Sequence, residues 1–387
     1  MRYLIAPKIF DGYKTWEGHA LLVSSELVLD MVPIDCLEPS IEKTVFQSET
    51  IAPGLIDWQV NGGGGVLFNN DRSANALQKI ASGHYLGGTT AFYPTIVTDE
   101  FHVREEALAA VKFATNQSSL GVLGIHFEGP FFCSKRRGVH IESQLKRMHA
   151  DDLRWHLENS DTKQIVTIAP ERVTSEQITK LVEAGIFVSL GHTDCGFDLA
   201  EEAFDSGAHG VTHLFNAMSQ ASGREPGVVG AALLNDQTWC GIIADGIHVS
   251  PVMIELALRA KPKGKLTLVT DAMATVGSAN KSFKLYGESI KEEDGQLVNS
   301  EGRLAGAAIS MIDCVRFMHE KVGVSLEEAL RMASLYPAQM LQIDHERGSL
   351  LPGSRADIVC FDSQFKVKQT WVGGHAKLTQ EASRAEL

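Results

Sequence analysis

The fold is decided by the stretch Gly121-Val122-Leu123-Gly124-Ile125-His126-Phe127-Glu128-Gly129-Pro130, where a short apolar run ends in a carboxylate and a Gly-Pro turn. Other stretches of the chain repeat this form, with a His or Asp at or just after the end of a short apolar run. They are residues 53–62, 191–194, 213–218, 245–248 and 270–272. In a parallel barrel the C-terminal ends of the strands carry the chemistry. Six such stretches in chain order therefore predict one shared hydrolase-type site that binds a metal ion.

Apolar runs of strand length alternate with segments of helical periodicity from about residue 53 to residue 345. The predicted strands are 55–57, 91–95, 121–126, 165–169, 187–190, 210–213, 239–244 and 266–270. Helical stretches such as 105–115, 175–184 and 198–206 lie between them. Strands buried on both faces that alternate with helices indicate a parallel sheet. Eight of them favour a closed (β/α)8, TIM-like barrel, and no G-x-G-x-x-G follows the first strand to suggest a dinucleotide fold.

Both ends of the chain have β character instead. Residues 20–23 and 27–32 read as strands before the barrel. After the barrel come a polar stretch (281–302), helices at 310–320 and 325–333, and strands at 356–362 and 367–372. We predict that residues 1–52 and 346–387 form one small β-sandwich domain beside a barrel of residues 53–345. The last dozen residues are polar and are expected to be frayed.

Composition and charge narrow the class of partner. The chain has 387 residues and a formal net charge of -13. That charge argues against nucleic acid or an anionic membrane as partner, since both require a basic surface. A phosphorylated small molecule stays compatible, because one Arg and a few backbone donors can hold a phosphate. The six cysteines form no C-x-x-C pair, and no signal peptide or membrane span is apparent, which predicts a reduced, cytoplasmic protein.

Three strand-end side chains predict a metal site. Glu128 ends one apolar run, and His192 and His213 end two others that lie 21 positions apart, about one strand-helix unit. Taken singly, the glutamate could bond to nearby backbone and each histidine could be structural. Together, two imidazoles and a carboxylate leave an open position for water, the arrangement of a catalytic Zn²⁺ site.

Further candidates follow on the same barrel face. Asp271 ends the last predicted strand, where a carboxylate can move protons as a general acid and base, although a helix N-cap is the alternative. His140 and His248 lie in loops on this face and are predicted to contact substrate. Arg224, in Gly223-Arg224-Glu225-Pro226-Gly227, either offers its guanidinium to a phosphate or is a solvated surface residue.

The motifs H-F-E-G-P-F, H-T-D, H-L-F-N-A-M, R-E-P-G, D-G-I-H and T-D-A occur here in one order. In this combination the chain resembles the N-acetylglucosamine-6-phosphate deacetylases of the amidohydrolase superfamily, over nearly its whole length. The resemblance implies a metal-dependent barrel with a β-sandwich domain from both termini. It implies hydrolysis of the acetamide of N-acetylglucosamine 6-phosphate to glucosamine 6-phosphate and acetate, in amino-sugar catabolism, and commonly a homodimer.

The resemblance also implies a role for each matching residue. Glu128, His192 and His213 would hold the metal, and Asp271 would be the acid and base. The substrate-binding residues would be Val139, His140, Asn216, Ala217, Arg224, Asp245, His248, Leu304, Ala305 and Gly306. Among these, His140 would help to polarise the amide carbonyl. Asn216, Ala217 and Arg224 would bind the sugar phosphate, in part from the neighbouring subunit.

One departure from the wider superfamily lies after the first strand. Many amidohydrolases carry H-x-H there and bind a second metal, whereas this chain has Gln59-Val60-Asn61. Amides are poorer transition-metal ligands than imidazole. We therefore predict one divalent ion per subunit, with Zn²⁺ favoured by two His and one carboxylate and Fe, Co or Mn as alternatives.

Two rival functions stay open at the level of sequence. A dihydroorotase-like or dipeptidase-like amidohydrolase usually needs H-x-H, and often a carbamylated Lys at the position of Glu128; the chain has neither. A non-catalytic sugar-phosphate-binding barrel should have lost its metal ligands or its acid and base, and this chain keeps them.

Overall fold

A computed structural model describes residues 1–117, 120–300, 302 and 304–377. Its central sheet consists of eight parallel strands in chain order. They are β1 (Leu55–Val60), β2 (Thr89–Val97), β3 (Ile125–Glu128), β4 (Gln164–Ile168), β5 (Phe187–Leu190), β6 (Gly210–Val211), β7 (Trp239–Ile243) and β8 (Leu266–Val269). A parallel bridge between Val60 and Ala272 joins the end of β1 to the segment after β8. The predicted (β/α)8 barrel is confirmed.

Helices cover the outside of this barrel. Those between successive strands are α1 (Ala74–Tyr85), α2 (Phe101–Thr115), α3 (Ala150–Glu158), α4 (Ser175–Glu183), α5 (Phe197–Asp205), α6 (Gly227–Leu234) and α7 (Pro251–Ala260). After β8 follow α8 (Met311–Phe317), α9 (Leu326–Ala333) and α10 (Leu335–Met340). Among the described residues, no helix has the length and apolar character that crossing a membrane requires.

The barrel strands form because nearly every residue in them is apolar or small and loses its contact with water. All six residues of β1 and all nine of β2 are buried, as strands covered by helices on one side and barrel interior on the other must be. The predicted start of β3 at residue 121 is wrong. Gly121 has a left-handed φ of 74° and Val122 makes only one bridge, so the regular strand begins at Ile125 and ends on Glu128.

The chain termini form two further sheets. One contains Arg2–Ile5, His19–Val23, Val28–Pro33 and Glu42–Val45; the other contains Lys8–Phe10, Thr15–Trp16, Thr50–Pro53, Ile358–Phe361, Val367–Val372 and His375–Ala376. Residues 50–53 pair antiparallel with residues 358–361, which joins the two ends of the chain in one sheet. Leu4, Ile9, Ile358 and Trp371 share a core there.

The predicted β-domain built from both termini is thus confirmed; the proposed boundaries at 52/53 and 345/346 stay predictions. The residues predicted to be frayed lie mostly beyond 377, outside the described part of the chain.

The polar stretch after β8 holds a small sheet that the sequence pattern did not indicate. Its strands are Ser282–Leu285, Glu288–Glu293, Gln296–Val298 and Leu304–Ala307, paired as an antiparallel meander. Most of their side chains are polar, but Leu285, Ile290 and Leu297 are buried against Met273. A short ribbon, Gly62–Gly63 with Val66–Leu67, adjoins this side of the barrel. The small sheet and the ribbon together form one side of the barrel mouth.

Candidate active site

The barrel brings the predicted acidic and histidine residues to one mouth. Glu128 is the last residue of β3, and His192, His213 and Asp271 each stand two positions after β5, β6 and β8. The latter three have left-handed backbone angles, with φ of 49°, 38° and 51°. Non-glycine residues adopt this region at a cost, and such strain concentrates at functional sites. The strand ends therefore turn sharply in order to aim these side chains at a common point.

Three of these side chains present ligand atoms to one another. His192 Nε2 and His213 Nε2 lie 3.2 and 3.0 Å from Glu128 Oε1, and 3.1 Å from each other. All three residues are buried. Zinc–nitrogen and zinc–oxygen bonds are about 2.0–2.2 Å long, so three atoms at this spacing can share one ion. The donor set therefore fits a divalent metal of borderline softness.

The hydrogen bonds of His192 and Glu128 favour the binding of a cation between them. His192 Nδ1 lies 2.9 Å from the carbonyl oxygen of Arg136 and can donate only to it, which leaves the Nε2 lone pair free for the metal side. Burial works to raise the pKa of Glu128, but hydrogen bonds with His192 and His213 outweigh it and leave that pKa well below its usual value. The carboxylate is therefore ionised, as a metal ligand must be.

His140 lies beside these metal-ligand candidates, but its hydrogen bonds indicate a different role. Its ligand atom lies within 4.8 Å of those of Glu128 and His192. The backbone N–H of Thr98 donates to His140 Nδ1 over 3.2 Å. Burial, together with nearby His192, keeps the pKa of His140 well below its usual value, so the ring is neutral. A neutral ring that accepts at Nδ1 carries its proton on Nε2, which makes His140 a hydrogen-bond donor rather than a fourth metal ligand.

Asp271 is held by two amides. Its Oδ1 accepts from Gln59 Nε2 at 3.1 Å and from Asn61 Nδ2 at 2.6 Å. Within the described residues its Oδ2 has no hydrogen-bond partner, and the side chain lines the cavity. Burial, and next the repulsion from Glu128, raise the pKa of Asp271 to about 7. Such a carboxyl group can both accept and release a proton near neutral pH.

Gln59 and Asn61 occupy the positions of the missing H-x-H pair. Gln59 Nε2 lies 3.1 Å from Glu128 Oε1 as well as from Asp271 Oδ1, so one amide group bridges the two carboxylates. In this arrangement both residues act as donors, since carboxylate oxygens only accept. A second ion at this place would need side-chain lone pairs as ligands, but Gln59 and Asn61 direct N–H groups at the carboxylates. This arrangement supports the prediction of a single metal ion.

A cavity of about 330 Å³ opens over these groups. It is lined by Asn61, Val97, Glu128, Lys135, Arg136, Gly138, Val139, His140, His192, His213, Asn216, Ala217, Ile243, His248, Asp271, Met273, Leu304 and Gly306. Three predicted residues lie apart from the lining. Ala305 is buried in the core behind the small sheet, Asp245 holds His248, and Arg224 is exposed on its loop.

His248 and Asp245 act as a pair. His248 Nδ1 lies 2.6 Å from Asp245 Oδ2, and Asp245 Oδ1 also accepts from the backbone N–H of His248 at 2.8 Å. Burial opposes the charged ring, but the bond to Asp245 outweighs it and raises the pKa of His248 above its usual value. The ring is thereby fixed at the edge of the cavity.

Two glycines of the motifs are required by space. A β-carbon on Gly129, whose φ is 94°, would lie 2.2 Å from Thr98 Oγ1. One on Gly306, whose φ is 66°, would lie 2.9 Å from the carbonyl oxygen of Asp271. Both positions therefore let the backbone pass close beside the catalytic strand ends.

Sequence reasoning missed Lys135 and Arg136, which line the cavity. The local signal was present: Lys135, Arg136 and Arg137 form a short basic run in the loop after β3. In a chain with a formal net charge of -13, three consecutive basic residues are only a weak indication of an anion site. Val97, Ile243 and Met273, which supply apolar lining, carried no signal beyond that of ordinary core residues.

Fold and site together define a barrel whose mouth holds a cluster of side chains suited to a metal ion, with a buried carboxyl group beside it. The Amidohydrolase family model matches residues 50–377. The chain belongs to the amidohydrolase family.

Several sugar-phosphate deacetylases resemble this chain over nearly its whole length. The chain is 38% identical to an N-acetylgalactosamine-6-phosphate deacetylase of Shewanella sp. (strain ANA-3), with 97% of this chain and 96% of the relative covered. It is 34% identical to an N-acetylglucosamine-6-phosphate deacetylase of Haemophilus influenzae, with 97% and 100% covered. The crystal structure of the N-acetylglucosamine-6-phosphate deacetylase from Pasteurella multocida superposes with a TM-score of 0.94 at 36% identity, covering 97% of this chain and 99% of that one.

Proposed function

We propose that this protein is a metal-dependent deacetylase that hydrolyses the acetamide of N-acetylglucosamine 6-phosphate to glucosamine 6-phosphate and acetate. The observation that carries the proposal is the convergence of Glu128, His192 and His213 beside the donor His140 and the carboxyl of Asp271. The names of the full-length relatives point to the same reaction and substrate class. Amino-sugar catabolism is the setting that this reaction fits.

Glu128, His192 and His213 would hold one divalent ion. We favour Zn²⁺ because two imidazoles and one carboxylate suit it, while Fe²⁺, Co²⁺ and Mn²⁺ can use the same ligands. When bound, the ion supplies Lewis acidity toward the acetyl carbonyl and lowers the pKa of water.

His140 would polarise the amide. Its proton is placed on Nε2 by the bond that Nδ1 accepts from Thr98. That N–H group would donate to the acetyl oxygen as negative charge develops there, which is the largest single contribution of many hydrolase sites. Because the ring is buried and neutral, no proton has to be rearranged before it acts.

Asp271 would move the proton. Gln59 and Asn61 fix its Oδ1, which leaves Oδ2 facing the cavity. The carboxylate would accept a proton from the attacking water and deliver it to the amine nitrogen as the C–N bond breaks. An amine is a poor leaving group unless protonated, so both halves of the reaction depend on this one group.

The remaining predicted residues would hold the sugar phosphate. Asn216, Ala217 and His248 line the cavity on the side of β6 and β7, and Leu304 and Gly306 close it from the small sheet. The exposed Arg224 would reach a phosphate from the neighbouring subunit of a homodimer, which is how we account for its distance from this chain's own cavity. We further propose a cytoplasmic location, in keeping with six free cysteines.

N-Acetylgalactosamine 6-phosphate is a second candidate substrate. The Shewanella relative that is 38% identical over 97% of this chain bears the name of that activity. The two sugars differ only in the configuration of one hydroxyl group away from the acetamide, so the metal ligands, His140 and Asp271 would serve both.

The test is acetate release from each of the two sugar phosphates by the purified protein. We expect activity that disappears on chelation and returns with Zn²⁺, and a higher kcat/KM for N-acetylglucosamine 6-phosphate. A preference for the galactose epimer would reassign the substrate. Release of no acetate from either sugar with Zn²⁺, Fe²⁺, Co²⁺ or Mn²⁺ would overturn the proposal.

A further inference from the structure

The cavity has two cations of its own that the proposed reaction does not yet use. Lys135 and Arg136 both line it, whereas Arg224 of the same chain is exposed outside the lining. Glu128 and Asp271 are the carboxylates among the lining residues, and both are committed to the reacting end of the cavity. The cavity lining therefore carries two positive charges to which the proposed reaction assigns no role.

Asp194 holds the two cations together. Lys135 Nζ lies 2.5 Å from its Oδ2, and Arg136 Nε lies 2.7 Å from its Oδ1. Two positive charges against one negative charge leave the cluster with a net positive charge.

The cluster also keeps donors free for a ligand. Arg136 uses Nε for Asp194, and in the described part of the chain its two Nη groups have no hydrogen-bond partner. A guanidinium held in this way presents its fork in a fixed direction, which suits two oxygens of one phosphate. Lys135 is more exposed and adds a mobile point charge beside it.

The loop that carries Lys135 and Arg136 is hydrogen-bonded to the segment of the metal-ligand candidate His192. The carbonyl oxygen of Arg136 is the group to which His192 Nδ1 donates, at 2.9 Å. His192 and Asp194 are two residues apart in one segment, so the loop is bonded to that segment through both the main chain and the side chain of Arg136. The placement of the two cations relative to His192 is therefore fixed by these bonds.

We propose that Lys135 and Arg136 are the phosphate-binding cations that each chain supplies to its own active site. This inference rests on the proposed function and refines it, since it assigns the 6-phosphate to the loop after β3 in addition to any contact from Arg224. Binding there holds the far end of the sugar and so presents the acetamide to the ligand cluster, His140 and Asp271.

The experiment compares phosphorylated and non-phosphorylated substrate on the Zn²⁺-loaded, full-length protein. Arg136→Gln and Lys135→Met are made singly and together, with Arg259→Gln, a surface arginine on α7 paired with Glu255, as the matched control. Acetate release is measured with N-acetylglucosamine 6-phosphate and with N-acetylglucosamine. Glucose 6-phosphate, which has no acetamide, serves as a competitive inhibitor that reports on phosphate affinity.

For Arg136→Gln we expect kcat/KM on the phosphorylated substrate to fall about 10- to 100-fold, the range for hydrogen bonds to charged groups. The loss should lie mainly in KM, the ratio of the two substrates' kcat/KM should fall accordingly, and the Ki of glucose 6-phosphate should rise. Metal content should match that of the wild type, because glutamine keeps the backbone carbonyl that holds His192.

Any of four results would overturn the inference. Equal losses on both substrates, or an unchanged Ki for glucose 6-phosphate, would show that the loop does not bind the phosphate while leaving the deacetylase function intact. Loss of metal in Arg136→Gln would show a structural role. A wild-type protein that releases no acetate would refute the proposed function and this inference with it.

Discussion

Replacing Asp271 with asparagine should abolish most activity and yet make the metal-free protein more stable. The amide keeps the shape of the side chain, and its oxygen can still accept from Gln59 and Asn61. The group that it removes is the base and acid of both reaction steps. General acid–base catalysis contributes about 10²–10⁴-fold, and because one residue serves twice we expect kcat to fall by about 10³–10⁴.

The stability change follows from the pKa of the buried carboxyl. In the folded, metal-free protein it is raised from 3.8 to about 7, so folding opposes ionisation. At about 1.4 kcal/mol per pKa unit, the buried charge costs the folded state about 4 kcal/mol above pH 7. The penalty is absent below pH 3.8, where the carboxyl is neutral both folded and unfolded, and it grows as the pH rises toward 7. The asparagine side chain of the variant bears no such charge at any pH.

The assay combines acetate release, metal analysis and thermal unfolding of chelated protein at pH 8 and pH 5. Asp271→Asn should bind metal as the wild type does, and at pH 8 its Tm should be higher by several degrees, with a smaller gain at pH 5. Asp236→Asn, at an exposed aspartate, is the control and should change nothing. Near-normal kcat would refute the catalytic assignment, and a lower Tm at pH 8 would refute the argument from burial.

Four other outcomes follow from the same geometry. Glu128→Gln should lose the metal and the activity together, because the amide lacks the anionic oxygen that both histidines approach; metal analysis checks this. His140→Ala should keep the metal but lower kcat about 10²–10³-fold, because alanine has no side-chain donor for the oxyanion. Arg224→Ala should weaken the use of phosphorylated substrate more than that of free N-acetylglucosamine. The kcat/KM of the wild type should decline as the pH falls below about 7, because Asp271 must be ionised to accept a proton; a bound cation moves this limb to lower pH, and Asp271→Asn should lack it.

Each of these predictions has a contrary result. Retained metal in Glu128→Gln, or unchanged kcat in His140→Ala, would remove that residue from its role. Equal loss on both sugars in Arg224→Ala would count against a phosphate contact. An acidic limb of the profile that persists unchanged in Asp271→Asn would mean that Asp271 is not the titrating base.

Much of the site could be predicted from the sequence because its residues stand at strand ends. Apolar runs of strand length mark where each barrel strand stops, and a polar residue at that point has to face the mouth of the barrel. Glu128, His192, His213 and Asp271 were assigned in this way, and the structure places all four at one end. The local error at β3 involves a glycine: the apolar run begins at Gly121, which has a left-handed φ of 74°, whereas the regular strand begins at Ile125.

What only the tertiary structure decided depends on contacts between segments distant in the chain. That the amide of Gln59 bridges Glu128 and Asp271 cannot be read from any pattern, because the partners lie 69 and 212 positions away. The proton of His140 is placed by a backbone N–H 42 positions earlier, and only the folded cavity shows that Lys135 and Arg136 lie in its lining. The sequence by itself determined which chemical groups this protein brings to the barrel mouth, because strand periodicity is local. The tertiary structure decided which hydrogen-bond partners set the protonation and charge of those groups. These partners come from segments that are distant in the chain and meet only in the folded protein.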